Sequence, residues 1–307
     1  MDNMEIDANK YYEYHVSQST LSSTIESCWW IFDIIGTNYF SSASNINNKR
    51  TIFNTLPGGE ANKLTLYGIK ALLTTGNIVD SFVLLRKFRD NIFLDLYLIS
   101  KDRTAYEKKI ESISKLFDIA DTDSIDQLIK NLSSDDEDVQ NWFQDKFINE
   151  QKKRIRRQII GYSNFVKAIK GSNKSIEQLY SRFFDELLSI MDNRLENYVH
   201  SNGFTVISNE ILSHPKERLC SIIKSIDRLI TDLLIVYIST IILLNSTLLQ
   251  SSDYVDALDM EERPINDSQY WIAPGISDFI KDNIKDINTD LFEYIKSCDN
   301  YSMKLDE

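Results

Sequence analysis

The sequence predicts an all-α protein, and three observations carry that reading. Only nine glycines and four prolines punctuate 307 residues, too few for the turns of an all-β fold or the phosphate loops of a doubly wound sheet. Apolar residues recur at helical spacing, as in Leu187, Ile190, Met191, Leu195 and Tyr198, which predicts that these five share one helical face. From Leu233 to Leu249 the chain is apolar apart from hydroxyl groups and Asn245. With Arg228 and Asp232 at its start, that run predicts a central helix buried on all sides in preference to a membrane span. An anchor at Leu233 to Leu249 is the weaker alternative.

The elements follow in order. After a polar start, Ser19 to about Phe40 predicts a helix whose cluster Cys28-Trp29-Trp30-Ile31-Phe32 must be buried. Pro57-Gly58-Gly59 is read as a turn, because neither a Gly-Lys-Ser/Thr nor a preceding strand makes it a phosphate loop. A helix from Ala61 to Leu73 ends at Thr74-Thr75-Gly76-Asn77, and Ile78 to Ser100 is the next. Arg103 to Leu116 reads as a charged amphipathic helix and Asp121 to Asp138 as an acidic loop with a helical insert at Ser124 to Leu132. A long helix from Asn141 to Ile169 precedes a turn at Gly171-Ser172-Asn173 and a helical partner from Lys174 to Val199. One last helix, Ile276 to Ile295, follows an acidic linker. These elements suggest an N-terminal helical extension (residues 1–76), a helical core (77–250) and a linker with a C-terminal helix (251–307).

Charge narrows the functions. A net charge of −12 repels a polyanion from most of the surface, so any RNA contact is local. Three distant cysteines, Cys28, Cys220 and Cys298, give neither a disulfide framework nor a zinc spacing. The three histidines form no recognisable metal set, and His15 and His214 read as surface or turn residues. Neither a cofactor nor a metal is expected. The acidic N-terminal stretch has no basic n-region, and a cytoplasmic location is expected. The run Lys152, Lys153, Arg154, Arg156 and Arg157 reads as a solvated face that could also track an RNA backbone.

Two segments can carry chemistry. In Arg86-Lys87-Phe88-Arg89-Asp90, Arg86 and Asp90 form an i, i+4 pair on one helical face. Arg89 falls among Phe82, Leu85, Ile92 and Leu96, so it needs a partner or a cleft. Downstream, Arg194-Leu195-Glu196-Asn197-Tyr198-Val199-His200 sets an imidazole six residues after a guanidinium at a helix end that Gly203 stops. Imidazole can move a proton near neutrality, and guanidinium can hold or stabilise a phosphate. Six helical residues span about 9 Å and about 240°. Arg194 and His200 therefore cannot share a face of one straight helix; the helix ends first, or a second subunit completes the site.

The Leu-Leu-Arg-x-x-x-acid helix followed by Arg-x5-His-Ser-x-Gly resembles the HEPN superfamily of helical domains over about Ile78 to Leu249. That resemblance implies a HEPN-like antiparallel bundle with extra N- and C-terminal helices, paired as a homodimer. It also implies a metal-independent endoribonuclease of a phage-defence or toxin system, with Arg194 and His200 as the active pair. Asn197, Tyr198, Arg86 and Asp90 would support the site. Two positions differ from the pattern: Leu195 stands where catalytic members carry a polar residue, and Asn202 where a paired toxin–antitoxin branch has tyrosine. The second expectation is thus an inactive HEPN-like module that binds a nucleotide, RNA or a partner protein of a defence or toxin–antitoxin complex.

Overall fold

The computed structural model describes residues 8–46, 58–117, 161–200 and 214–306. The fold is all-α, with about ten helices and no strand among the described residues. The Lys152–Arg157 run, the Ser124–Leu132 insert and Gly203 lie outside them.

The polar start is itself a helix, α1 (Ala8–Ser17). Val16 and His15 are buried and Tyr11 and Tyr12 half-buried, so the tyrosine rings supply the apolar face that aliphatic residues would otherwise form. Helix α2 (Leu21–Ile46) follows. In its aromatic cluster Cys28, Ile31 and Phe32 are buried, but Trp30 is 69% exposed. The expectation of a wholly buried cluster is corrected there, since consecutive helical residues point about 100° apart and cannot all face inward. Trp29 is half-buried and meets the Tyr67 ring edge-on at 5.0 Å, with the Lys63 ammonium 4.9 Å above it.

Helices α3 (Gly58–Thr74) and α4 (Ile78–Phe117) form a hairpin. The turn between them needs Gly76, whose φ is +77° and whose hydrogen lies where a Cβ would meet the Tyr12 ring at 2.6 Å. Helix α4 runs unbroken for 40 residues through the gap expected between Ser100 and Arg103. Lys101 and Asp102 are charged but contain no helix breaker, so nothing interrupts the backbone bonds.

Gly161 is extended (φ −104°, ψ 134°), so α5 (Tyr162–Lys170) starts there and is not continued from upstream as the expected Asn141–Ile169 helix required; residues 141–160 lie outside the described residues. After the Gly171-Ser172-Asn173 turn, the Asn173 side chain accepts the Ile176 amide at 2.8 Å and caps α6 (Lys174–Leu179). A π-turn at Tyr180–Phe184 joins α6 to α7 (Asp185–Val199). The buried face of α7 is Leu188, Met191, Leu195 and Tyr198, while Ile190 is 61% exposed. The predicted face thus holds at Leu187, half-buried against the core, and at Met191, Leu195 and Tyr198, while Ile190 turns outward and Leu188 joins in its place.

Helix α8 (Lys216–Asn245), extended by a 3₁₀ turn at Ser246–Leu249, is the centre of the molecule. It is the one helix among the described residues that is long and apolar enough to cross a bilayer, yet 83% of its apolar window is buried inside the fold. It contributes to one hydrophobic core with residues of α1 through α7 and of the C-terminal helices. Asn38 of α2 ties down its far end, donating to the Leu248 and Gln250 carbonyls at 3.0 and 2.8 Å.

Beyond α9 (Asp253–Asp259), the expected single last helix is two: α10 (Pro274–Ile280), continued by a π-turn at Lys281–Lys285, and α11 (Thr289–Cys298). Asn288 causes the break, because its side chain accepts the Leu291 amide at 3.0 Å and starts a new helix.

Candidate functional site

The chemistry-bearing residues collect along the seam between α4 and α7. On α7, Asp192, Glu196 and His200 recur every four residues and so line one face. On α4, Arg86 and Arg89 meet them, and Asp90 holds Arg89 from its own helix.

Arg89 anchors the seam. Its residue is 1% exposed, and the requirement for a partner is met three ways. Nη1 donates to Asp192 Oδ1 at 2.6 Å, and Nε and Nη2 both donate to Asp90 Oδ1 at 3.0 and 2.8 Å. The guanidinium also lies 3.9 Å from the centre of the Tyr162 ring of α5. Burial raises the pKa of Asp192 above the ordinary carboxylate value, and the Arg89 charge only partly opposes it. Tyr162 is held protonated far above neutrality by burial and by the Asp192 charge.

One turn further along, the expected Arg86–Asp90 pair is replaced by two others. Asp90 serves the adjacent Arg89, and Arg86 Nη2 instead reaches Glu196 Oε1 at 3.0 Å. The second oxygen of Glu196, Oε2, lies 3.2 Å from His200 Nε2. The correction has a simple cause: Asp90 is taken up by the buried Arg89 beside it, and Glu196 of α7 lies within reach of Arg86.

Helix α7 ends at Val199, so His200 is already its C-cap with φ −97° and ψ 9°. Its side chain is 62% exposed. Arg194 is exposed too, with its guanidinium 5.5 Å from the Phe82 ring. Phe82 stacks on Tyr198 with ring centres 3.8 Å apart and planes 7° from parallel. Tyr198 is therefore core packing, Asn197 is exposed, and Leu195 is completely buried. Among the described residues, no hydrogen bond or ion pair joins Arg194 to His200; each is held by a different partner.

Asp192, Glu196 and Tyr162 were not singled out from the sequence. The acid-x3-acid-x3-His row was visible there as a spacing, whereas the approach of Tyr162 from a separate helix had no local signal. His15 and His214, read as surface or turn residues, are both buried. Tyr12 Oη lies 3.1 Å from His214 Nδ1, Tyr11 donates to the His214 carbonyl at 3.0 Å, and His15 Nδ1 is 4.0 Å from Cys220 Sγ. They tie α1 to the start of α8.

Comparison with known protein families, with characterised proteins and with solved structures finds no match to this chain.

Proposed function

We propose that the protein is a metal-independent endoribonuclease of the HEPN type, acting in a defence or toxin system in the cytoplasm as a homodimer. The observation that carries the reading is the placing of two exposed groups suited to phosphodiester chemistry at one end of α7. The imidazole of His200 stands at the helix end and the guanidinium of Arg194 lies upstream, while the opposite face of the helix is locked into the core. That rigidity matters because such groups act only when held in place.

In this account His200 takes the proton from the RNA 2′-hydroxyl as that oxygen attacks the adjacent phosphorus. Arg194 stabilises the charge that builds on the phosphoryl oxygens, and the 5′-oxygen leaves, taking a proton from water to become the 5′-hydroxyl while a 2′,3′-cyclic phosphate forms. The two groups project in different directions from one chain, so Arg194 and His200 of two copies related by a two-fold axis complete one site. The seam beneath, Arg89 with Asp90, Asp192 and Tyr162, fixes the angle between α4 and α7 and so the position of both.

A second reading has its own support. Leu195 is buried where a polar residue would serve catalysis, which favours an inactive module that binds RNA, a nucleotide or a partner protein through the same face. The test is incubation of wild-type, Arg194→Ala and His200→Ala protein with total cellular RNA and a chelator, resolved on a denaturing gel. Cleavage by wild type alone is expected; RNA left intact by all three supports the binding module.

A further inference from the structure

One carboxylate at the end of α7 is divided between two basic groups. Glu196 Oε1 takes Arg86 Nη2 at 3.0 Å, and Oε2 faces His200 Nε2 at 3.2 Å. The donors come from different elements, Arg86 from α4 and His200 from the cap of α7, and they converge on one anionic group. A planar guanidinium and an imidazole aimed at one point suit a phosphate as well as they suit a carboxylate.

The contact is also weak enough to exchange. The side chains of Arg86, Glu196 and His200 are 30%, 39% and 62% exposed, and solvent screens pairs this open so that little holds them together. By contrast, Arg89 is enclosed by Asp90, Asp192 and Tyr162 and cannot trade partners without leaving a charge buried. The seam thus has a fixed half and an exchangeable half.

We infer that Glu196 is a built-in stand-in for the substrate phosphate, which closes the site on itself until a phosphate displaces it. An arriving phosphodiester takes the place of the carboxylate on Arg86 and His200, and Glu196 turns to solvent. The identity of the phosphate as RNA rests on the ribonuclease reading; the position of the anion does not.

The test follows the histidine resonances of the full chain, labelled in the imidazole carbons, while inorganic phosphate is added. His15 and His214 are buried and serve as internal references. In Glu196→Gln the His200 signal should shift at about fivefold lower phosphate than in wild type, as loss of an exposed competing charge predicts. Glu196→Ala should act in the same direction, and adding Arg86→Ala to Glu196→Gln should remove the gain. Equal phosphate affinity in wild type, Glu196→Gln and Glu196→Ala, or a gain that survives without Arg86, overturns the inference. RNA cleavage is scored separately. A phosphate gain at His200 in protein that cuts no RNA upholds the stand-in and counts against the ribonuclease, whereas cleavage lost in Glu196→Gln without any gain makes Glu196 an aid to catalysis and ends the proposal.

Discussion

Arg89 is the residue on which the seam depends. Its guanidinium is held by Asp90, Asp192 and Tyr162, and Arg89→Met leaves Asp192 half-buried with its compensating charge gone. Stability should fall by about 1–3 kcal/mol, since the carboxylates left unpaired are partly open to water, measured by urea unfolding. Arg89→Lys should recover only part of this, since an ammonium cannot reach two carboxylates as a fork does. His214 gives a pH-dependent prediction. Burial, and then the Arg218 charge, holds its pKa below the ordinary value of 6.5, so the folded state keeps the ring neutral while the unfolded chain binds a proton. Stability is full above about pH 6.5 and is lost as pH falls below it. Asp192 and Asp232 have the opposite sign, because burial raises both pKa values and their contribution is present at low pH and lost as pH rises through the carboxylate range. The unfolding midpoint of His214→Gln, compared with wild type between about pH 7 and pH 5, should therefore fall less steeply on acidification. Equal slopes would show that His214 does not titrate in that window.

At the scale of elements, the α3–α4 hairpin turns on Gly76. Replacement by alanine meets two penalties, a left-handed backbone that costs about 1–2 kcal/mol and a Cβ driven into the Tyr12 ring. Gly76→Ala should lower the melting temperature, and an added Tyr12→Ala should not restore it, because the backbone term remains. The hairpin break was legible in the sequence, as were α2, α3, the turn at Gly171-Ser172-Asn173 and the helical stretch from Lys174 to Val199, since each is bounded by Gly or Asn or carries a strong apolar period. Other elements were hidden for physical reasons. Helix α1 builds its inner face from tyrosine and histidine, which read as polar; the continuity of α4 depends on the mere absence of a breaker. The break before α11 comes from a single side-chain cap at Asn288. Of the site, Arg89's need for a partner was readable from its apolar neighbours. Asp90 stands beside it in the sequence, but Asp192 and Tyr162 were not readable, because they approach from helices far along the chain.

At the scale of the whole molecule, α8 is the common support. Its residues from Val236 to Leu244 are all buried, and the core they form is shared by α1 through α7, α10 and α11. The described helices should therefore unfold together, giving coincident transitions by circular dichroism and by tryptophan fluorescence. Transitions separated in denaturant would divide the core into independent parts. Ile238→Asp should prevent folding altogether, since it sets an unpaired charge in a fully enclosed position. The burial of α8 also explains how a run that meets the compositional test for a membrane span serves as a core helix.

We propose that the end of α7 cleaves RNA through His200 and Arg194 without a metal. The chemistry of the new RNA ends tests it most directly, because a 2′-hydroxyl attack leaves a 2′,3′-cyclic phosphate and a free 5′-hydroxyl. A defined RNA incubated with wild-type protein and a chelator should yield those ends, with none from His200→Ala or Arg194→Ala. Uncut RNA from the wild type, 3′-hydroxyl ends, or equal cleavage by the variants would contradict the account.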